Sequence, residues 1–417
     1  MGKRASKFLL VFVIAISLIV GYIITKDIKD NDSERKEIVD VTKTPYAADA
    51  NGISDSSDAI QRAINDVSEN GGGTVFLPSG TYQLKSEIFL KNNVTLQGSG
   101  KTTVIKGDFS KKGSPLITNK VTVPLKNVTL SNFRLDRTGI NTQHGILLGN
   151  ATNFLAEKIE VYSNEDRPGG AIGISAFDIY AKYPSKNIRV KNSTFYYTGN
   201  FGVQFGNVKS GVVENNDFYD GYREVIGVEP YGKSGIAQDI KIKGNFIFNK
   251  AVKVNGTPTG KVIITNSSGG SAKEILVQGN VIQEDVASGN SLPGIALYGV
   301  SEVEISKNAV SNLGGSGIFV TSAYGKVAEK ILIDNNKVLN CSLRTNVAGI
   351  SLLDTHNSVI SENFVSGNKH TYGISEEKTS NQNTFKSNML YGNKLPVQKS
   401  KYKLGSNYED NHVELIK

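Results

Sequence analysis

Seven asparagines, Asn216, Asn245, Asn280, Asn308, Asn336, Asn363 and Asn388, recur at intervals of 25 to 35 residues, each three positions after an apolar residue and two before another. A period in that range marks a solenoid, in which each repeat buries its apolar face against its neighbours alone. One residue type at one point of every repeat requires the coils to stack in register there. A carboxamide carries both donors and acceptors, so stacked copies can bond the backbone and one another without leaving a buried polar atom unpaired. The seven asparagines are therefore expected to form a structural ladder, and the chain to be a coil of short parallel strands.

An internal period over 417 residues favours one elongated domain over several globular ones. Abundant Gly (43 residues), only 10 Pro and no Trp suit many short strands joined by tight turns. A single cysteine, Cys341, excludes an internal disulfide framework and argues against a cysteine-based metal site, so the stacked core must supply the stability.

The uncharged run from Phe8 to Ile24 follows Lys3, Arg4 and Lys7 and is near the lower length limit for a membrane helix. No A-x-A site follows it, which favours an uncleaved anchor over a signal peptide; either way the body is expected outside the cell. The expected organisation is an anchor or signal segment over 1–25, a polar linker over 26–38, an N-terminal cap with the first coils over 39–100, the β-helix over 101–392 and a tail over 393–417. A net charge of +8 and a pI near 9.1 suit an acidic partner, such as a uronate-containing polysaccharide, a teichoic-type polymer or an anionic membrane surface, although charge alone speaks only to non-specific attraction. A nucleic-acid partner is not expected.

Ser54 or Asp55 can cap a helix running to about Asn70 with Ala59, Ile60, Ala63, Ile64 and Val67 on one face, and Gly71-Gly72-Gly73 stops it. A solenoid needs a cap at that place because its end coil exposes an open core and unpaired strand edges. Asp49-Ala50-Asn51-Gly52-Ile53-Ser54-Asp55-Ser56-Ser57-Asp58-Ala59-Ile60-Gln61-Arg62-Ala63-Ile64, then Gly71 through Tyr82, resembles the N-terminal signature of the pectate lyase superfamily. The resemblance implies an all-β fold, a single-stranded right-handed parallel β-helix of about ten coils with an N-terminal capping helix. It also implies that the asparagine ladder lies at the turn between the second and third sheets, and that the strands of the first sheet line the substrate groove. Members include lyases, glycosidases, uronan epimerases and phage depolymerases, so the reaction stays open.

Strands of Gly-apolar-x-apolar type fit the first sheet: His144–Leu148, Ala171–Ser175, Phe201–Phe205, Val225–Glu229, then Lys261–Thr265, Pro293–Leu297, Gly317–Thr321, Val347–Leu352 and Tyr372–Glu376. Alternation across a strand sends Ile172, Ile174, Val203, Phe205, Ile226 and Val228 inward. Outward, Ser175, Gly206, Glu229, Thr265, Tyr298 and Thr321 would form a column about 24 Å long, with Gln204 beside it, along which a polysaccharide could lie. Glu229 is the acid at its middle, and Gly206 and Gly227 are small enough to leave room for a ligand.

The candidate catalytic residues are Glu229, Arg223, Tyr222, Asp220, Asp178 and Asp166; the candidate substrate-binding residues are Gln204, Ser175, Tyr231, Arg167, Tyr197, Thr265 and Tyr298. For β-elimination from a uronate, Arg223 or Arg167 could neutralise the carboxylate while Tyr222, Tyr197 or Lys182 moves protons. Hydrolysis needs two carboxyl groups about 5 to 10 Å apart, for which Glu229 could pair with Asp220, Asp166 or Asp178. The plainer alternative pairs Glu229 with Arg223 to order a loop. The paired aspartates of polygalacturonases and the tyrosine, aspartate and histidine set of uronan epimerases are both missing. No cofactor is demanded, although the acids around Glu229 could bind Ca2+ if they converge. The four histidines, His144, His356, His370 and His412, read as surface or hydrogen-bonded residues rather than catalysts. The function expected is an extracellular carbohydrate-active enzyme cleaving an acidic polysaccharide, with lyase chemistry ahead of hydrolysis or epimerisation. The competing class is a non-catalytic glycan-binding or structural surface protein.

Overall fold

The structure, a computed structural model, describes residues 37–108, 114–138, 144–163, 170–221, 224–250, 260–285, 291–345, 347–367, 372–393, 395–398 and 405–415. Within them the chain winds through three sheets of 12, 15 and 14 strands, and every strand pair in them is parallel. Each coil contributes one strand to each sheet in turn. His144–Leu148, Ala151–Glu157 and Glu160–Tyr162 form one such coil, and the next begins at Gly170. The first sheet gathers all nine strands expected of it, from His144–Leu148 to Tyr372–Glu377, and adds Ile88–Phe89, Ile117–Thr118 and Leu395–Gln398.

Parallel register puts like on like in the core. The inward positions of the first sheet stack Ile146, Ile172, Val203, Ile226, Val262, Ile295, Ile318 and Ile350. β-Branched side chains suit this pleated, two-sided burial. In the third sheet Phe195 and Phe218 stack face to face inside the core at 4.7 Å and 9°. A buried ion pair interrupts the apolar stack, with Lys261 Nζ 2.7 Å from Glu284 Oε1 and both side chains almost fully enclosed.

The asparagine ladder occupies the turn between the second and third sheets. Each member donates its carboxamide to the Oδ1 of the next coil's asparagine at 2.9–3.0 Å and to a carbonyl of the preceding coil, and accepts a backbone N–H as well. It extends one rung further than the sequence pattern, because Asn388 donates to Asn411 at 2.8 Å. Below Asn216, Ser193 takes over the position: its amide donates to Asn216 Oδ1 and its hydroxyl receives the Ile159 amide. A second, exposed asparagine row runs along the second sheet, where Asn127 donates to Asn93, Asn153 to Asn127 and Asn187 to Asn153 at 2.7–3.0 Å. All four adopt left-handed backbone, φ 55–60°, which asparagine tolerates better than most residues.

Helix α1 (Ser57–Glu69) lies against the first strands of the second sheet and buries Ala59, Ile60, Ala63, Ile64 and Val67. Its N-cap is Ser56, without a side-chain cap bond; Asp55 instead accepts from the Ser57 amide and hydroxyl and from the Lys85 amide. Among the described residues no helix is long and apolar enough to cross a membrane, and the expected anchor segment lies outside them.

Candidate active site on the outer face of the first sheet

Glu229 ends the strand Ile226–Val228 and is half-buried on the outer face of the first sheet. Four side chains donate to it. Gln204 Nε2, one coil below, reaches Oε2 at 3.3 Å, and Tyr231 OH reaches the same oxygen at 3.2 Å. From one coil above, the hydroxyls of Ser267 and Ser268 both donate to Oε1, the latter at 3.1 Å. Gln204 also reaches the Tyr231 hydroxyl at 3.4 Å, which closes a triangle of amide, phenol and carboxylate. Burial, then the charge of Glu229, raises the Tyr231 phenol far above the ordinary tyrosine range, so it remains a proton donor at neutral pH.

Phe177 covers this cluster from the N-terminal side. Its ring lies 5.7 Å from that of Tyr231, 5.2 Å from that of His144 and 6.4 Å from that of Phe201. It precedes the short helix α2 (Asp178–Ala181), whose Tyr180 hydroxyl bonds Thr118 at 3.0 Å, so this segment folds over the outer face of the lower coils. His144 beneath it is 3% exposed, and its ring nitrogens have no hydrogen-bond partner among the described residues. Burial, with the nearby Arg137 charge, lowers its pKa to about 3. It is therefore a covered neutral imidazole rather than the surface or hydrogen-bonded residue its sequence context suggests.

Several sequence expectations need correction. Ser175 does not face the groove. Its backbone turns into the left-handed region at φ 46° and its hydroxyl is fully buried, bonded to Tyr183 O at 2.6 Å and Ser185 Oγ at 2.7 Å. Gly206 and Gly227 do not leave a hollow either. A Cβ on Gly206 would meet the Ser175 carbonyl oxygen at 1.9 Å, and one on Gly227 the Phe201 ring at 2.3 Å, so protein fills the space expected for ligand. Thr265 is buried and caps the Ser267 amide at 3.1 Å, which helps aim the serine hydroxyls at Glu229.

Asp220 and Tyr197 fall at the turns after the third-sheet strands Asp217–Tyr219 and Thr194–Tyr196. Asp220 is thus separated from Glu229 by the whole strand Ile226–Val228, and its Oδ1 accepts the Lys250 amide at 2.7 Å. Tyr298 lies two coils above Glu229 in the outward column and packs 5.7 Å from Phe319; burial pushes its phenol up to about 12. Tyr222, Arg223, Asp166 and Arg167 lie outside the described residues, as does the side chain of Asp178. Among the described residues no group of three or more Asp, Glu, His or Cys side chains could hold a metal ion.

Comparison with known proteins agrees with this fold. Residues 38–245 match the family described as rhamnogalacturonase A/epimerase, pectate lyase-like, and residues 250–413 match the right-handed β-helix region. The chain belongs to the pectate lyase-like right-handed β-helix proteins. Among family relatives, it is 24% identical over 366 residues to plasmin and fibronectin-binding protein A of Streptococcus pneumoniae, covering 80% of this chain and 45% of that protein. It is 28% identical over 194 residues to alginate lyase 7 of Azotobacter vinelandii, covering 43% of this chain and 22% of that one. The chain thus spans less than half the length of these curated relatives. In structure it superimposes on the A-module of the Azotobacter vinelandii mannuronan C-5 epimerase AlgE6 with a TM-score of 0.71 at 19% identity, over 91% of this chain and 99% of the module. That likeness is one of fold.

Proposed function

We propose that this β-helix protein acts outside the cell on an acidic, uronate-containing polysaccharide, and that it cleaves the polymer by β-elimination at Glu229 and Tyr231. The contact between a half-exposed carboxylate and a phenol held protonated carries the reading. Elimination needs a base at C5 and an acid at the departing oxygen. Glu229 takes the C5 proton, the C5–H electron pair becomes the C4–C5 double bond, and the C4–O bond breaks. Tyr231 gives its phenolic proton to the departing oxygen, and Glu229 returns its acquired proton to the phenolate across the 3.2 Å contact. Arg223 and Arg167 are proposed to meet the substrate carboxylate. The name of alginate lyase 7 supports a uronan as substrate.

Glu229→Gln and Tyr231→Phe should each lower turnover by about 10²–10⁴-fold while leaving the melting temperature and polymer affinity near wild type. Full activity in both would move the chemistry elsewhere. A second reading, a non-catalytic surface protein that binds glycan, is favoured by one observation: protein groups already supply four donors to Glu229. Under that reading the polymer is retained and not shortened.

A further inference from the structure

Beside Tyr231, a surface cleft of about 680 Å³ whose lining does not include Glu229 runs towards the second sheet. One wall is the segment from Phe177 to Pro184 and the other is the turn from Tyr231 to Ile236. Asn207 braces the two from below. Its carboxamide donates to Ala181 O on one wall at 2.6 Å and to Tyr231 O on the other at 3.1 Å, and its Oδ1 accepts the Tyr231 amide at 2.9 Å. The shape is therefore fixed before any ligand arrives, which lowers the ordering cost of binding.

The lining has a definite chemistry. Phe177, Ala181, Pro184, Tyr231 and Ile236 give it apolar surface, Lys182 and Lys209 are its charged groups, and neither Asp nor Glu is among its lining residues. Lys182 and Lys209 are exposed. Lys186 stands in register with Lys209 one coil below, and Lys233 lies on the exposed turn that forms the second wall, so two more lysines neighbour the lining residues along the chain and the sheet. A neutral, flat-faced ligand would use the apolar wall and leave the lysines to water. A ligand with an apolar face and a carboxylate uses both.

We propose that this cleft is a subsite for a carboxylated pyranose of the polymer, with the carboxylate between Lys182 and Lys209 and the sugar's C–H face against Phe177 and Tyr231. The inference rests on the reading that the partner is an acidic polysaccharide. Since Tyr231 forms a wall of the cleft and its hydroxyl rests on Glu229, the subsite and the proposed catalytic pair adjoin through one side chain. The polymer then leaves the axis of the solenoid at this coil and passes sideways over the turn between the first and second sheets.

The test is titration calorimetry on the full-length chain with a uronic acid hexamer and with the same hexamer after carboxyl reduction. The Lys182→Ala/Lys209→Ala variant is compared with Lys337→Ala/Lys386→Ala, which removes the same charge from distant coils. The cleft variant should lose about tenfold or more in affinity for the uronic acid hexamer and much of its salt dependence, while the distant variant keeps both. The reduced hexamer should bind wild type and cleft variant alike. Wild-type affinity in the cleft variant overturns the subsite, and if elimination persists in wild type under that result, the proposed function survives without it. A wild-type protein that prefers the reduced hexamer overturns the subsite and the acidic-polymer reading together.

Discussion

At the scale of single residues, a tyrosine hydroxyl that already rests on a carboxylate is a different acid from one in water. The burial of the ring and the negative charge of Glu229 both oppose the phenolate, so Tyr231 holds its proton at neutral pH. That suits a proton donor to a leaving group and unsuits a ground-state base, which is why Glu229 is given the base's role.

His144 gives a prediction of its own. Its folded pKa of about 3 lies below the ordinary 6.5, so the unfolded chain binds a proton that the folded chain refuses. Stability should therefore be complete above pH 6.5 and fall as pH drops towards 3, approaching about 1.4 kcal/mol per pH unit from this group well below 6.5. The hydrogen-bonded carboxylates Asp55 and Asp354, whose values are lowered from 3.8, lose their contribution only at more acid pH, so the window between is diagnostic. Denaturant midpoints measured across it should slope in wild type and flatten in His144→Phe. An equal slope in both would remove His144 as the cause.

At the scale of elements, the two asparagine rows separate burial from repetition. Asn308 donates to Val277 O and Asn336 Oδ1 and accepts from Asn280, all inside the fold, whereas Asn153 makes comparable carboxamide contacts at the surface. Asn308→Ala strands several buried groups and should cost about 2–4 kcal/mol, at about 1–3 kcal/mol for each group left unsatisfied. Asn153→Ala should cost less than about 1 kcal/mol, since water replaces its partners. The ion pair is a second element-level test. Glu284→Gln leaves the Lys261 ammonium enclosed without its counter-ion and should cost about 3–5 kcal/mol, while Lys261→Met combined with Glu284→Leu should cost less than that single change. Denaturant midpoints of the variants check both expectations.

These elements also explain what was legible in the sequence. The ladder could be read because each asparagine must repeat in every coil, and the reading stopped short of Asn411 because the position three before it is Tyr408, whose hydroxyl takes it out of a purely apolar pattern. The first-sheet strands could be read from Gly-apolar-x-apolar spacing, and alternation then brought out Gln204 and Glu229. Alternation failed at Ser175, where one left-handed residue turns the side chain inward. It also could not reveal that Gly206 and Gly227 receive neighbouring atoms, since a glycine looks the same whether it makes room for ligand or for protein. Ser267 and Ser268 were missed because their position depends on the path of a turn one coil above, which no local period records. The burial of His144 depends on Phe177, brought over it by a loop of the following coil.

At the scale of the whole molecule, the three sheets make a rod in which one face of one sheet carries the proposed chemistry and the remaining surface carries charge. Along the outer face of the second sheet, Lys191 pairs with Glu157 at 3.4 Å and Lys243 with Glu214 at 3.9 Å, so stacked coils there alternate in sign down a column. Such exposed pairs contribute little each, but they keep like charges from facing one another across strands about 4.8 Å apart. The lysines around the cleft beside Tyr231 stand outside that pattern, and together with the net charge of +8 they would draw an acidic polymer towards Glu229.

The most direct measurement incubates the full-length chain and its Glu229→Gln variant with uronan and neutral polysaccharides, following the ultraviolet absorbance of unsaturated uronate together with new reducing ends. The account predicts that both signals rise in step on a uronan with wild type and that neither rises with the variant. Reducing ends without the absorbance, or both signals undiminished in Glu229→Gln, would contradict it.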